Sequence, residues 1–388
     1  MKRVFQARKL LTPLETVEDA VMIVEDGVIA AIGSRGDLET PGGTEPVDFG
    51  DAVIAPAYFD QHLHGGGGFD VMEATGAALC GVGRFLARHG VAGYLATTVT
   101  ASMEATLASL GGLAGLIGRA EDGRADVGEA VPVGIHLEGP FLSHEKRGVH
   151  PPELLLTPTV ELFDRFWQAA EGRILLMTIA PELPNALEVI GYASGLGVRV
   201  SLGHSNAIAE VARAGIAAGA VSATHTFNAM RTFNQREPGI LGVVLDAGSL
   251  YAEIISDGYH VDPMAVRLFW KAKGAERAVL ITDGISATGM PDGQYKLGNL
   301  DVEVIDGQCM AGGAIAGSTL TMDRAVSHFR AFTGAGLDQV IGLAGRNPAR
   351  MLGLEGRFGS LVVGGRGDFV VLEEDGNLRA TFLSGQAI

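Results

Sequence analysis

Histidine and carboxylate residues recur at the ends of short apolar runs in this sequence. Six of the 10 histidines end or closely follow such a run, and so do two carboxylates. They are His62, His64, His136, His204, His225 and His260, together with Glu138 and Asp283. Several neutral imidazoles at one place would compete for the same partners, whereas a divalent metal satisfies them together. Two imidazoles and a carboxylate with one open position form a hydrolytic zinc site, so we expect metal-dependent hydrolysis.

The pair His62 and His64 has the spacing of a metal clip. Side chains alternate along a strand, so both imidazoles lie on the same face, and a second ion near the first is indicated. Asp283 follows the apolar run Ala278–Thr282. Its carboxylate can cap the next helix or act as a general base, and next to an activated water it becomes the proton acceptor.

The apolar runs alternate with stretches that favour helices over residues 54–354. Eight runs read as strands, and between most of them lie segments rich in Ala, Leu, Glu and Arg. Strand–helix alternation predicts a parallel sheet, and eight repeats predict an α/β fold, a (β/α)8 TIM-like barrel. A doubly wound open sheet is the competing architecture. In such a barrel the active site lies at the carboxyl ends of the strands, where the histidines are found.

Residues 1–53 and 355–388 have a different pattern, with short apolar runs separated by turns. Asp26 and Gly27 lie between two apolar runs, which is a strong hairpin signal. The last segment has three short apolar runs between glycine-rich turns. We therefore predict that the two termini together build a small β-sandwich domain beside the barrel.

Composition excludes several classes of protein. The chain of 388 residues carries 29 basic and 45 acidic residues, for a net charge of −16, and lacks the basic cluster of a nucleic-acid binder. It has no apolar run of about 18 residues, so we expect no membrane span. Cys80 and Cys309 form no CxxC pair and read as free thiols. Without a segment typical of a signal peptide near its start, the protein is expected in the cytoplasm.

A serine hydrolase is a second hypothesis from the residues. The HGGG segment at 64–67 resembles an oxyanion loop, and residues 203–207 come close to the G-x-S-x-G motif. Ser205 would then be the nucleophile, assisted by Asp257 and His260. This hypothesis leaves the glutamate and the other strand-end histidines unexplained, whereas the metal hypothesis uses them.

A set of motifs follows one family along essentially the whole chain. They are HLEGPF at 136–141, KRGVH at 146–150, SLGHSNA at 201–207, THTFNAM at 224–230, REPG at 236–239, DGYH at 257–260, TDG at 282–284 and AGSTLTM at 316–322. On these motifs the chain resembles the N-acetylglucosamine-6-phosphate deacetylases of the amidohydrolase superfamily. The combination is specific to that family.

The resemblance implies a role for each matching residue. The metal ligands are Glu138, His204 and His225, and Asp283 is the general base and acid. We assign stabilisation of the oxyanion to His150. By position, the substrate contacts are Val149, His150, Asn228, Ala229, Arg236, His260, Ile315, Ala316 and Gly317. Some family members replace His62 and His64 and hold one metal, and others keep them and can hold two, so one or two ions are expected here.

The resemblance also implies the reaction and the partners. The substrate is a small sugar phosphate, and the acetamide of N-acetyl-D-glucosamine 6-phosphate is hydrolysed in amino-sugar catabolism and cell-wall sugar recycling. Zn²⁺ is the expected metal, with Fe²⁺, Mn²⁺ and Co²⁺ as alternatives. A homodimer is expected, in which Arg236 or His260 serves its own or the neighbouring subunit. Another deacetylase or deaminase of the superfamily is the alternative, and a scaffold without catalysis is disfavoured because the ligands are all present.

Overall fold

The chain begins with five strands that pair with one another. The computed structural model describes residues 1–38, 44–120 and 128–388. The strands are β1 (Lys2–Leu11), β2 (Thr16–Glu25), β3 (Val28–Ser34), β4 (Val47–Asp48) and β5 (Val53–Pro56). Glu25 pairs with Val28, so Asp26 and Gly27 form the predicted two-residue turn between β2 and β3. Both turn residues have positive φ, of 50° and 83°, as this kind of hairpin turn requires.

Eight parallel strands form the predicted barrel. They are β6 (Tyr58–Leu63), which the short pair β7 (Gly65–Gly66) and β8 (Phe69–Asp70) follows, then β9 (Val91–Thr98), β10 (Val131–Glu138), β11 (Ile174–Ile179), β12 (Arg199–Leu202), β13 (Ala220–Ala223), β14 (Tyr251–Ile254) and β15 (Ala278–Leu280). Each strand from β10 to β15 pairs with the strand before it in the chain, and β9 pairs with β6. Helices cover the outside and side chains fill the inside, which explains the continuous apolar runs.

The first and last barrel strands meet at their carboxyl ends. The Asp283 amide donates to the His62 carbonyl at 2.9 Å, and the His64 amide donates to the Gly284 carbonyl at 2.7 Å. Beneath them, the Thr282 hydroxyl donates to the Asp60 carboxylate at 2.6 Å. The barrel therefore closes at the end where the histidines and carboxylates lie.

Seven helices connect the barrel strands. They are α1 (Gly76–Arg88), α2 (Met103–Arg119), α3 (Val160–Ala169), α4 (Ala186–Gly195), α5 (Ala209–Ala218), α6 (Gly239–Asp246) and α7 (Pro263–Arg277). Four of them begin at a side-chain cap, where Thr75, Ser102, Thr159 or Asp262 accepts a backbone N–H of the first turn. In the part of the chain that the structure describes, no helix has the length and apolar character needed to cross a bilayer.

A small antiparallel sheet, not predicted from the sequence, follows the eighth barrel strand. Its strands are β16 (Gly293–Leu297), β17 (Leu300–Ile305), β18 (Gln308–Ala311) and β19 (Ala314–Ile315). Buried Leu297, Val302 and Ala316 pack in one cluster with Val99 and Ile285 at the barrel's carboxyl end. The strands are short and half-exposed, so their apolar pattern is weak in the sequence.

The chain ends in the same sheet where it began. After α8 (Met322–Thr333), α9 (Leu337–Ile341), a π-helical segment (Gly342–Arg346) and α10 (Asn347–Leu352) come β20 (Phe369–Leu372), β21 (Leu378–Leu383) and β22 (Gln386–Ala387). β20 pairs with β5, and the sheet runs β22-β21-β20-β5-β1-β2-β3 with β4 beside β1. The termini therefore do build one β structure, as a continuous sheet. The apolar run 52–60 is divided between β5 and β6, because Pro56 ends the ladder of the terminal sheet.

Candidate active site

The carboxyl ends of the barrel strands enclose a cavity of about 160 Å³. The ends of seven barrel strands, with the segments that follow them, contribute residues, and the small sheet β16–β19 with the residues after it contributes the rest. The lining residues are His64, Val99, Glu138, Gly148, Val149, His150, His204, His225, Asn228, Ala229, His260, Asp283, Leu297, Ile315 and Gly317. The structure therefore brings most of the predicted site residues together in one place.

Glu138 lies at the centre of the first group of potential metal ligands. Its Oε1 is 3.4 Å from His204 Nε2 and 3.2 Å from His225 Nε2. The two imidazole nitrogens are 3.1 Å from each other. All three side chains are buried, and their ligand atoms are close enough together to bind one ion.

The other oxygen of Glu138 faces the second group. Oε2 is 3.4 Å from His62 Nε2 and 3.2 Å from His64 Nε2. These three residues also satisfy the geometry of a metal-binding group. One glutamate therefore faces two pairs of histidines, one with each oxygen.

The rings of three histidines are fixed from behind. His64 Nδ1 lies 3.2 Å from the Thr97 carbonyl, and His204 Nδ1 lies 2.9 Å from the Lys146 carbonyl. His62 Nδ1 lies 3.0 Å from the carboxylate of Glu253. An imidazole whose Nδ1–H is bound to an acceptor presents the lone pair of Nε2, as metal-binding histidines do.

The buried centre contains more acceptors than donors. Nε2 of His62 has no hydrogen-bond partner although it is buried. Carboxylate oxygens and imidazole lone pairs that face one another repel unless protons or a cation lie between them. Histidine nitrogens with a carboxylate oxygen are ligands that Zn²⁺ accepts in hydrolytic sites. The residues present therefore fit a divalent metal.

The charges of the centre shift the pKa values of its members in opposite directions. Burial alone would lower the pKa of His64, but its contacts with Asp283 and Glu138 raise it to about 9. Burial alone would raise the pKa of Glu138, but His62 and the hydrogen bonds with His204 and His225 hold it well below the ordinary value. The carboxylate of Glu138 is therefore ionised, and His64 favours its positively charged form.

Asp283 faces the second group of ligands from the end of β15. Its Oδ1 lies 3.5 Å from His62 Nε2 and 3.3 Å from His64 Nε2. Burial would raise its pKa, but the hydrogen bond from His64 and the charge of His62 bring it to about 2. The carboxylate is thus ionised at neutral pH and can accept a proton inside the pocket.

His150 lies beside His204, with ring centroids 4.8 Å apart, and stays neutral. Its Nδ1 is 2.7 Å from the Thr100 hydroxyl and accepts the Thr100 amide at 3.4 Å. With Nδ1 as acceptor, the ring proton lies on Nε2, where it can be donated into the cavity. Burial and the neighbouring His204 lower its pKa to about 3.

Three residues at the centre have an unusual backbone conformation. His204, His225 and Asp283 have φ of 50°, 27° and 51°, in the left-handed region that residues other than glycine rarely adopt. Each lies two or three residues beyond the end of a barrel strand. Strain of this kind persists where the surrounding structure fixes it, and it often marks functional sites. Here it turns the three side chains into the cavity.

Seven predicted substrate contacts line the cavity and two do not. Arg236 lies on an exposed segment after β13 and is absent from the lining. Ala316 is buried in the cluster beneath the small sheet, because alternation after Ile315 turns it away from the cavity. Among the described residues, no lysine or arginine lines this cavity.

The serine hypothesis finds no support in the geometry. Ser205 Oγ donates to Glu182 at 2.7 Å and accepts the Ala207 amide at 3.0 Å. His260 pairs with Asp257 at 2.6 Å and lines the cavity, whereas Ser205 does not. Ser205 therefore stabilises the turn after His204, and no histidine bonds to its hydroxyl in the described structure.

Several residues of the site were not predicted from the sequence. Val99 and Leu297 line the cavity, and Glu253 and Thr100 hold two of the histidines. Val99 and Thr100 follow β9, so the rule that strand ends form the site could have found them. Leu297 belongs to the unpredicted sheet, and Glu253 lies within an apolar run where only the fold reveals its partners.

Several known proteins are similar in sequence to this chain along nearly its whole length. Residues 53–388 match the model of the amidohydrolase family. An N-acetylglucosamine-6-phosphate deacetylase of Vibrio furnissii is 35% identical over 99% of this chain and 94% of its own length. An N-acetylgalactosamine-6-phosphate deacetylase of Escherichia coli O157:H7 is 37% identical over 100% of this chain and 99% of its own.

A solved structure is similar to this chain in both fold and sequence. The N-acetyl-D-glucosamine-6-phosphate deacetylase of Mycobacterium smegmatis, solved as an alanine variant in complex with N-acetyl-D-glucosamine-6-phosphate, has a TM-score of 0.91 and 35% identity. The similarity covers 100% of this chain and 99% of that one. Sequence and fold are thus similar along the whole chain.

Proposed function

The chain belongs to the amidohydrolase family, and we propose that it hydrolyses the acetamide of N-acetyl-D-glucosamine 6-phosphate to D-glucosamine 6-phosphate and acetate. One observation carries this proposal. Glu138, His204, His225 and Asp283 converge on one cavity in a chain that is similar along its whole length to deacetylases of this kind. Amino-sugar catabolism and the recycling of cell-wall sugars are the processes that would use this reaction.

Glu138, His204 and His225 are the proposed ligands of a divalent metal, and His62 and His64 with the second oxygen of Glu138 are the proposed ligands of another. Zn²⁺ suits this donor set best, and Fe²⁺, Mn²⁺ and Co²⁺ also accept it. When bound, such an ion lowers the pKa of an attacking water and polarises the carbonyl of the acetamide. The convergence of buried imidazole nitrogens on both oxygens of Glu138 supports this assignment.

Asp283 and His150 are the proposed catalytic residues. Asp283 accepts the proton of the attacking water and then returns it to the amine, because an amide anion is a very poor leaving group. Its low pKa keeps it ionised before the attack. His150, neutral with its proton on Nε2, donates a hydrogen bond to the carbonyl oxygen as negative charge develops there.

The phosphate requires a cation that the cavity of one subunit lacks. Among the described residues that line the cavity, no lysine or arginine is present, and Arg236 lies exposed outside it. A forked guanidinium suits a phosphate. We propose that the protein is a homodimer in which Arg236 reaches the cavity of the neighbouring subunit, while His260, Asn228 and Ala229 contact the substrate within their own. Cys80 and Cys309 are not joined in a disulfide, which agrees with the cytoplasmic location proposed for this reaction.

N-Acetylgalactosamine 6-phosphate is the second candidate substrate. The Escherichia coli O157:H7 relative named for that substrate is 37% identical, as close as the relatives named for the glucosamine compound. The two sugars differ only in the orientation of one hydroxyl group, at C4. The acetamide and the phosphate, which the proposed residues contact, are common to both.

Release of acetate from four substrates tests the proposal. The substrates are N-acetylglucosamine and N-acetylgalactosamine, each with and without the 6-phosphate, and elemental analysis of the same protein gives its metal content. We expect rapid release from a phosphorylated sugar and slow release from its unphosphorylated form. Equal rates with and without the phosphate would refute the phosphate-specific function, and full activity after complete chelation would refute the metal.

A further inference from the structure

Glu253 is a fully buried carboxylate in the barrel strand β14. Its Oε1 accepts a hydrogen bond from Gln61 Nε2 at 2.6 Å. Its Oε2 accepts hydrogen bonds from His62 Nδ1 at 3.0 Å and from the His225 amide at 3.1 Å. Among the described residues, no lysine or arginine forms an ion pair with it. Burial of a carboxylate is costly, and the proposed chemistry leaves this one without a role.

The hydrogen bond to Glu253 determines which nitrogen of His62 faces the centre with a free lone pair. With Nδ1–H donated to Glu253, a neutral ring carries its lone pair on Nε2. That nitrogen lies 3.4 Å from Glu138 Oε2 and 3.5 Å from Asp283 Oδ1, and it makes no hydrogen bond. Three acceptors that face one another in a buried space repel unless a proton or a cation lies between them, and a divalent ion satisfies all three together.

His62 is held differently from its neighbours. Backbone carbonyls of Thr97 and Lys146 hold the rings of His64 and His204. A carboxylate behind an imidazole fixes the ring and also raises its basicity, because it stabilises the positive charge that the ring shares with a metal. Of the three rings held in this way, only that of His62 is bound by a charged acceptor.

We propose that Glu253 is a positioning residue that makes His62 a metal ligand, and that it thereby secures the ion of the His62–His64–Glu138 group. The same oxygen holds the His225 amide, so one buried carboxylate supports a ligand in each of the two groups. Because this role presupposes the metal centre of the proposed function, its test measures metal binding separately from acetate release.

The test compares Zn²⁺ binding by four proteins, using elemental analysis and competition with a chelator. They are the wild type, Glu253→Gln, Glu253→Ala and His62→Ala. Glutamine has the shape of glutamate, and its amide oxygen can still accept from His62 while the Gln61 amide turns to meet its new N–H. We expect two Zn²⁺ in the wild type and two in Glu253→Gln, with the weaker ion bound roughly 10- to 100-fold less tightly. Glu253→Ala and His62→Ala should each retain one.

A variant that combines Glu253→Ala with His62→Ala distinguishes a positioning role of Glu253 from a merely structural one. If Glu253 acts through His62, the variant with both Glu253→Ala and His62→Ala should keep one Zn²⁺, bound no more weakly than the ion that remains in Glu253→Ala alone, because loss of the contact with the His225 amide is common to both. Unchanged affinity for both ions in Glu253→Gln and Glu253→Ala would overturn the inference, and so would a single Zn²⁺ in the wild type. If Glu253→Ala does not fold, Glu253→Gln decides alone. A wild type with one ion that still releases acetate would leave the proposed function intact, whereas two ions without acetate release would refute only that function.

Discussion

His204 and His225 approach each other through their Nε2 atoms, which lie 3.1 Å apart and form a triangle with Glu138 Oε1. At most one proton fits between two such nitrogens, whereas one metal ion satisfies both together with the carboxylate. Removal of the metal should therefore abolish acetate release, and added Zn²⁺ should restore it. His225→Ala should lower kcat at least about a hundredfold even with excess Zn²⁺, because several kcal/mol of transition-state stabilisation are lost. Undiminished turnover by the chelated enzyme would contradict this assignment.

Asp283 is the only residue to which we assign both proton transfers. Asp283→Asn keeps the shape of the side chain but cannot accept the proton, so kcat should fall by about 10² to 10⁴. The ion of the Glu138–His204–His225 group should remain bound, since those three ligands are untouched. Asp164→Asn is a suitable control, because Asp164 contacts Tyr192 on the outer surface. Near-normal turnover by the Asp283 variant would show that another group moves the proton.

The barrel could be predicted from the sequence because its signals are local. The parallel strands are mostly apolar runs, and most of them end at or shortly before a histidine or a carboxylate, as at His136–Glu138 and Thr282–Asp283. The turn at Asp26–Gly27 is equally local, and the structure confirms it. The small sheet β16–β19 was missed because its strands are short and bury only alternate side chains, as in Leu300–Ile305.

The location of the site could be predicted from the sequence more easily than the contacts among its residues. Strand ends show where ligands gather, but the pairing of Glu138 Oε1 with His225 and of Oε2 with His64 depends on distances across the barrel. Glu253 lies in the run Tyr251–Ile254 and reads as an isolated charge in an apolar strand. Its partners come from strands far away in the sequence, so only the fold identifies it.

His150 predicts a dependence of stability on pH. Burial and the nearby His204 lower its pKa to about 3 in the folded protein, compared with 6.5 ordinarily. Between these values the unfolded chain binds a proton that the folded protein does not, so this histidine destabilises the fold as pH falls and has no such effect above pH 6.5. Its contribution is at most about 1.4 kcal/mol per pH unit. Unfolding free energies of His150→Gln should therefore fall less steeply with acid than those of the wild type.

The same substitution tests the proposed catalytic role. Loss of the Nε2–H donor should lower kcat by roughly 10² to 10³, the cost of one oxyanion donor. The acid limb of the pH–rate profile should keep its position, because His150 is neutral well below neutral pH. A shifted acid limb in His150→Gln would indicate that this histidine titrates during turnover.

Arg236 gives a prediction for the assembly. It is exposed in the single chain and does not line the cavity of its own subunit. Arg236→Ala should raise KM for the phosphorylated substrate about 10- to 100-fold, since hydrogen bonds to charged groups contribute about 1.5–3 kcal/mol. The slow rate on the unphosphorylated sugar should not change. An equal loss on both sugars would indicate a structural defect in place of a lost phosphate contact.

Mixed dimers show which subunit Arg236 serves. When Arg236→Ala and Asp283→Asn proteins exchange subunits, one cavity of each mixed dimer retains Asp283 and faces a neighbour that retains Arg236. If Arg236 acts across the interface, activity at low substrate should rise on mixing, to as much as about a quarter of the wild-type value, because about half of the dimers are mixed and each has one complete site. If Arg236 acts within its own subunit, no cavity of the mixed dimer is complete and mixing adds nothing. A protein carrying both substitutions is the matched control, since its exchange with Arg236→Ala supplies no arginine under either arrangement.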